Sequence, residues 1–367
     1  MAKKPTLREL QEVYFQDRTK FFAELSSSQQ AFEAIMQRGS VKRAQMEKDM
    51  AAALAAVDQE TQKEAEESKV RLSQLIPIDP NESPPPTLRA AYSDRMAALL
   101  AKLAFFAYVR FEVAGNMEIL ERVLKDGGME LKKTYNINNT EAYLAEHRDF
   151  VVVAFRGTSS KRDRATDFDF RTKKISIPGH PLPVNAHRGF YAAYKCIEAD
   201  LRSDLQMLTD ASKPIYFTGH SLGGALAIVA TAAIGISDDP AEKDALEAIA
   251  DRIAAVYSFG APRVGDSNFD NIVKAPHYRV VNRFDLITLT PPNWLLGYRH
   301  TGDVRLLRAP GMGPLRRPSG SIMTALNLIS SFFLSITGQM RMLERHHAIT
   351  LYAAKLEEIA RARSAWH

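Results

Sequence analysis

Ser221 stands in the run Thr218-Gly219-His220-Ser221-Leu222-Gly223-Gly224-Ala225, a G-x-S-x-G pattern between a β-branched, aromatic stretch and an Ala-rich apolar one. Alone, the pattern arises by chance in about one chain of this length in ten at average Gly and Ser usage. Its setting gives it weight. A serine on a sharp strand-to-helix turn has its hydroxyl exposed, and only glycine-sized neighbours let strand and helix approach so closely. The start of the following helix offers free N–H groups and a positive dipole end to an oxyanion formed beside the serine. Nucleophilic attack on an acyl carbonyl is the chemistry this suits.

A serine hydroxyl is a weak nucleophile and needs a base, and the base needs an orienting group. On such a turn the partners follow in the chain order Ser, then Asp or Glu, then His. Asp285 follows Arg279-Val280-Val281-Asn282, which places it at the carboxyl end of a strand, where open α/β sheets gather their sites. For the base, His346 and His347 stand side by side ahead of Ala348-Ile349-Thr350-Leu351-Tyr352, a short helix leading back to the sheet edge. Chain order excludes His187 and His220, while His300 competes.

Positioning these groups requires a sheet. Strands are expected at 142–144, 150–155, 215–218, 253–257 and 278–281, separated by helices at 190–207 and 222–234, with a further helix over 90–108. Strand–helix alternation of this kind predicts an α/β fold with a mainly parallel central sheet. Residues 1–76 read as a helical N-terminal extension, expected to dock on the domain or on a partner, and Pro77-Ile78-Asp79-Pro80 through Pro84-Pro85-Pro86 mark a linker over 77–87. The main domain is expected over 88–367.

Composition narrows the classes. At 46% hydrophobic and 25% charged, the 367 residues are those of an ordinary globular protein, not a collagenous, disordered or polytopic membrane chain. The single cysteine, Cys196, forms no internal disulfide and is expected to be a buried structural thiol, and no Cys/His spacing suggests zinc. No metal or cofactor is expected. Met1 to Leu10 show no apolar run of a signal peptide, so the default compartment is cytoplasmic, with a membrane-peripheral location or a non-signal-peptide export route as variants. The net charge of +5 divides into −2 over residues 1–85 and +7 beyond them, but no nucleic-acid-binding signature accompanies it. The basic stretch at Arg299, Arg305, Arg308, Arg316 and Arg317 precedes an uncharged run from Ser321 to Gly338. Residues 299–338 are therefore a candidate for peripheral membrane contact, against the alternative of a helix packed on the core.

From about Leu88 onward the chain resembles the class 3 lipase family of α/β-hydrolases. The resemblance rests on separated blocks in order: Tyr92-Ser93-Asp94-Arg95, Val152-Val153-Ala154-Phe155-Arg156-Gly157-Thr158, His187-Arg188-Gly189-Phe190, Gly219-His220-Ser221-Leu222-Gly223, Phe259-Gly260-Ala261-Pro262-Arg263, Arg279-Val280-Val281-Asn282 with Asp285, and the final His/Tyr segment. It implies Ser221 as nucleophile, Asp285 as acid and, from the five-residue spacing to Tyr352, His347 as base in preference to His346. It further implies an oxyanion hole from Thr158 and the Leu222 N–H, with Asp167 propping the Thr158 hydroxyl, and scaffold roles for Arg156 and His187. Relatives usually carry a tryptophan where this chain has Arg164, so the segment from Ser159 to Asp167 has little apolar face to open onto oil. The implied activity is a serine lipase or carboxylesterase acting on triacylglycerol-type or soluble acyl esters. The alternatives are a phospholipase A1 or monoacylglycerol lipase, a membrane-directed effector, and a non-enzymatic scaffold; the last is disfavoured because every mechanistic position holds a competent residue.

Overall fold

The computed structural model describes residues 91–364, apart from 112, 114, 158–170, 176–182, 209–211, 238, 283, 284, 286, 292–296 and 308–346. The N-terminal extension and the proline-rich linker lie outside the described residues.

Four strands buried along their whole lengths form the centre: β3 (Val151–Phe155), β6 (Ile215–His220), β7 (Ile253–Phe259) and β8 (His277–Asn282); the first three are mainly apolar, while β8 also buries His277, Arg279 and Asn282. Such runs suit a sheet covered on both faces. Two strands precede them, β1 (Met129–Ile137) and β2 (Thr140–His147), and β9 (Asp303–Leu307) follows. The sheet order is β1-β2-β3-β6-β7-β8-β9. Pairing is antiparallel from β1 to β3 and parallel from β3 to β9. Thr172–Ile175 (β4) and Val184–His187 (β5) make a separate two-stranded sheet. The mainly parallel central sheet is the one expected.

Besides β4 and β5, two strands of the central sheet were not expected. β1 carries Glu130, Lys132 and Lys133 and has no apolar run, because it is an edge strand with one half-solvated face. The signal for it is the turn that follows: Asn138 and Asn139 both adopt positive φ, 50° and 61°, as a two-residue hairpin demands. β9 lies inside the basic stretch. There Arg305 pairs with Asp303 at 2.8 Å, and its guanidinium lies 4.6 Å over the Tyr92 ring and 5.5 Å from the Tyr278 ring. This corrects its reading as a cation free for lipid headgroups. The remainder of the proposed membrane segment, from 308 to 338, lies outside the described residues. No helix among the described residues is long and apolar enough to cross a membrane.

Helices cover both faces. On one face lie α1 (Asp94–Phe106), capped by Ser93 accepting from the Met96 N–H at 3.3 Å, and the C-terminal α6 (Ile349–Ser364), packed on it. α2 (Asn116–Asp126) packs on β1. On the other face lie α3 (Arg188–Met207), α4 (Leu222–Ala233) and α5 (Lys243–Asp251). Adjacent residues of β7 mark the two sides: the Tyr257 hydroxyl accepts from the Ser93 N–H, while Ser258 faces Gly224 of α4. Cys196, expected to be buried, is half-buried on α3 with its thiol donating to the Ala192 carbonyl.

Candidate active site

Ser221 joins β6 to α4 with φ 57° and ψ −128°, a region that a side chain rarely occupies. Two glycines make the turn feasible. A Cβ on Gly219 would fall 2.3 Å from the Gly223 carbonyl, and one on Gly223 would fall 2.2 Å from the Phe155 carbonyl oxygen. The first turn of α4 therefore lies against the end of β3. Leu222 is the first residue of α4, where backbone N–H groups have no partner within the helix. Thr158 and Asp167, like His346, lie outside the described residues; the chain is described up to Gly157, whose N lies 2.8 Å from that same added Cβ.

Asp285 follows β8 in a turn closed by its own N–H on the Asn282 carbonyl, and its Oδ1 accepts from the Ile287 N–H at 3.1 Å. Its side chain is wholly buried. His347 stands just ahead of α6, and its Nδ1 lies 2.8 Å from Asp285 Oδ2 and 3.0 Å from Oδ1. A carboxylate only accepts, so Nδ1 carries the proton and the neutral ring leaves a lone pair at Nε2. That Nε2 is buried without a hydrogen-bond partner.

Ser221 and His347 meet one stretch of backbone. The Ser221 N–H donates to the Phe259 carbonyl at 2.9 Å. The next residue, Gly260, has φ +59°, and a Cβ there would fall 2.6 Å from Asp285 Oδ2 and 3.1 Å from His347 Nδ1. The ring of His220, the residue before Ser221, lies 4.5 Å from the ring of His347.

Three contributors carry no role in the sequence reading. Tyr352 serves there only as a spacing mark, yet its hydroxyl donates to Asp285 Oδ2 at 2.5 Å and accepts from the Asn282 N–H at 3.0 Å. Burial, and then the Asp285 charge, push this phenol well above its ordinary range, so it keeps its proton. Gly260 sits in a quoted motif whose purpose spacing alone does not reveal. His220 is excluded as a base by chain order, and in the structure both of its ring nitrogens are engaged elsewhere. Of the two residues expected as scaffold, Arg156 pairs with Glu141 at 3.0 Å, and His187 caps α3 by accepting from the Phe190 N–H. His300 joins neither partner; burial around its ring, then Arg279 and Arg263, hold it well below the usual histidine range.

Residues 152–294 match the model of the family Lipase (class 3). Over 167 residues the chain is 32% identical to a secreted mono- and diacylglycerol lipase of Fusarium solani, an alignment covering 44% of this chain and 45% of that protein. Over 187 residues it is 29% identical to a lipase of Rhizomucor miehei, covering 48% and 47% respectively. The chain thus spans about half the length of the curated relatives it matches. The crystal structure of a lipase from Rhizopus microsporus var. chinensis superposes with a TM-score of 0.51 at 24% identity, over 68% of this chain and 90% of that one. This shows the α/β-hydrolase fold. The Fusarium relative is secreted by its name, so the cytoplasmic expectation draws no support from it.

Proposed function

We propose that this chain, whose residues 152–294 match the class 3 lipase family model, is a serine-dependent carboxylic ester hydrolase acting on acyl esters of glycerolipids. The observation that carries this reading is the buried Asp285–His347 pair at 2.8 Å, which leaves an unpartnered Nε2 on a ring 4.5 Å from that of His220, the residue before the strained Ser221. His347 takes the Ser221 proton as the hydroxyl attacks the ester carbonyl, and Asp285 fixes the ring's tautomer and stabilises its charge. Backbone donors at the start of α4, with Thr158, hold the tetrahedral oxyanion, and one such donor supplies about 3–4 kcal/mol. The role that the family resemblance implies for Asp167 is to orient the Thr158 hydroxyl. His347 then returns its proton to the leaving alcohol, and water hydrolyses the acyl-enzyme by the same steps in reverse roles. Each of these steps uses side chains and backbone donors of this chain.

The substrate class follows the named activity of the Fusarium relative, whose mono- and diacylglycerols share the glyceride ester with triacylglycerol. The test is a hydrolysis panel of p-nitrophenyl esters, mono-, di- and triacylglycerols and phosphatidylcholine, run beside Ser221→Ala and a fluorophosphonate probe. Labelling at Ser221 and glyceride turnover that both vanish in the variant are expected. Labelling that persists in Ser221→Ala would overturn the assignment. Turnover confined to phosphatidylcholine would replace glycerides with a phospholipase A1 substrate.

A further inference from the structure

His220 is buried one residue before the proposed nucleophile, and its ring joins two distant segments. Its Nε2 lies 2.6 Å from the main-chain oxygen of His347, and its Nδ1 lies 2.7 Å from the Tyr108 hydroxyl. A carbonyl oxygen only accepts, so Nε2 carries a proton. The neutral ring then presents a lone pair at Nδ1, and Tyr108 donates to it. The Tyr108 hydroxyl, in the turn after α1, also lies against Gly157, where an added Cβ would fall 2.1 Å from it. One hydroxyl thus meets the residue before the proposed nucleophile and the residue before Thr158.

We infer that Tyr108 and His220 are positioning residues for the base: together they hold the main chain of His347 at the elbow and so set where its Nε2 stands relative to Ser221. The inference rests on the hydrolase reading. It follows from the linkage itself, since the His347 ring is fixed at one end by Asp285 and its backbone is fixed by His220. Without the second tie the ring could swing about the first. The tautomer matters as well. The rings of His220 and His347 are 4.5 Å apart, and one of them gains a proton during the reaction. Two like charges at that spacing oppose each other, so His220 serves only while neutral. Donation from Tyr108 to Nδ1 favours that neutral form, and Tyr352, whose ring lies 5.9 Å from that of His220, keeps its own proton.

The experiment compares Tyr108→Phe, His220→Gln and His220→Phe in the full chain. Tyr108→Phe deletes one hydroxyl. His220→Gln offers an N–H near the place of Nε2, whereas His220→Phe keeps a ring and loses the donor. With the chosen ester, kcat should fall about tenfold in Tyr108→Phe and about 10²-fold in His220→Phe, with KM within about twofold of wild type. His220→Gln should recover most of the loss. Long-range 1H–15N spectra should show His220 protonated at Nε2, with its Nδ1 resonance moving to that of a nitrogen without a hydrogen bond in Tyr108→Phe. Unchanged kcat in Tyr108→Phe, equal impairment of the Gln and Phe variants, or a proton on Nδ1 of wild-type His220 would each overturn the inference. Should His220→Phe fail to fold, Tyr108→Phe decides alone, because it changes only a half-buried side chain. A wild-type protein that neither hydrolyses an ester nor reacts with a fluorophosphonate overturns the hydrolase reading instead, and the spectra then still report whether the two bonds exist.

Discussion

Asp285 Oδ2 accepts from two donors, the imidazole of His347 and the hydroxyl of Tyr352, and the Gly260 backbone closes the remaining space. A hydrogen bond to a buried carboxylate is charge-assisted and stronger than a neutral one. Tyr352→Phe should therefore cost about 1.5–3 kcal/mol of stability, measured by urea unfolding, because it strands part of a buried charge. Its kcat should fall as well, since the carboxylate is freed to turn away from Nδ1; unchanged turnover would reduce Tyr352 to packing. Gly260→Ala is the harsher change. It sets a methyl group 2.6 Å from Oδ2 on a backbone that already has positive φ, and it should suppress fluorophosphonate labelling about 100-fold or more while leaving the circular dichroism spectrum folded.

Helix α4 owes its position to a missing side chain. An alanine at Gly223 would meet the Phe155 carbonyl oxygen at 2.2 Å and the Gly157 N at 2.8 Å, backbone atoms that cannot step aside. At Gly224 the same change meets the Ala261 methyl and the Gly219 carbonyl oxygen, both at 2.9 Å, a milder conflict than 2.2 Å. Gly223→Ala should cost about 1–3 kcal/mol by overpacking and slow labelling of Ser221 more than Gly224→Ala does, the two being compared by urea unfolding and labelling rate. This glycine and the serine before it were legible in the sequence because a motif states them. The central strands β3, β6 and β7 were legible for another reason, being mainly apolar runs buried on both faces, and β8 was marked by Tyr278, Val280 and Val281. β1 was not, since an edge strand carries charges and reads as a loop, and β9 was hidden by Asp303 and Arg305, which satisfy each other. The Tyr108–His220 bond spans 112 residues, and no periodicity encodes a contact of that kind.

Acid should weaken the molecule as a whole through a histidine remote from the chemistry. His277 is buried at the start of β8, bonded to Ser258 Oγ at 2.8 Å and Thr301 Oγ1 at 3.0 Å, and burial, then Arg279, lower its pKa from 6.5 to about 3. Between those values the unfolded chain binds a proton that the folded chain refuses, so stability rises with pH there and falls as the medium is acidified. The slope from this one group is about 1.4 kcal/mol per pH unit. His277→Gln should remove that share of the difference between urea unfolding at pH 7 and at pH 5; an undiminished slope would assign the acid sensitivity to other groups. The packing of α6 on α1 bears on the molecule at a different time. Lys102 of α1 pairs with Glu357 of α6 at 3.7 Å, and Lys355 holds Asn282 at the end of β8. On the ribosome, α1 emerges early and waits for this partner, while every described strand of the sheet is already out once residue 307 has passed. A nascent chain halted at residue 330 would own its serine and its carboxylate but no base, and a fluorophosphonate would find it silent. On the proposed hydrolase reading, half-made copies leave the esters around them intact.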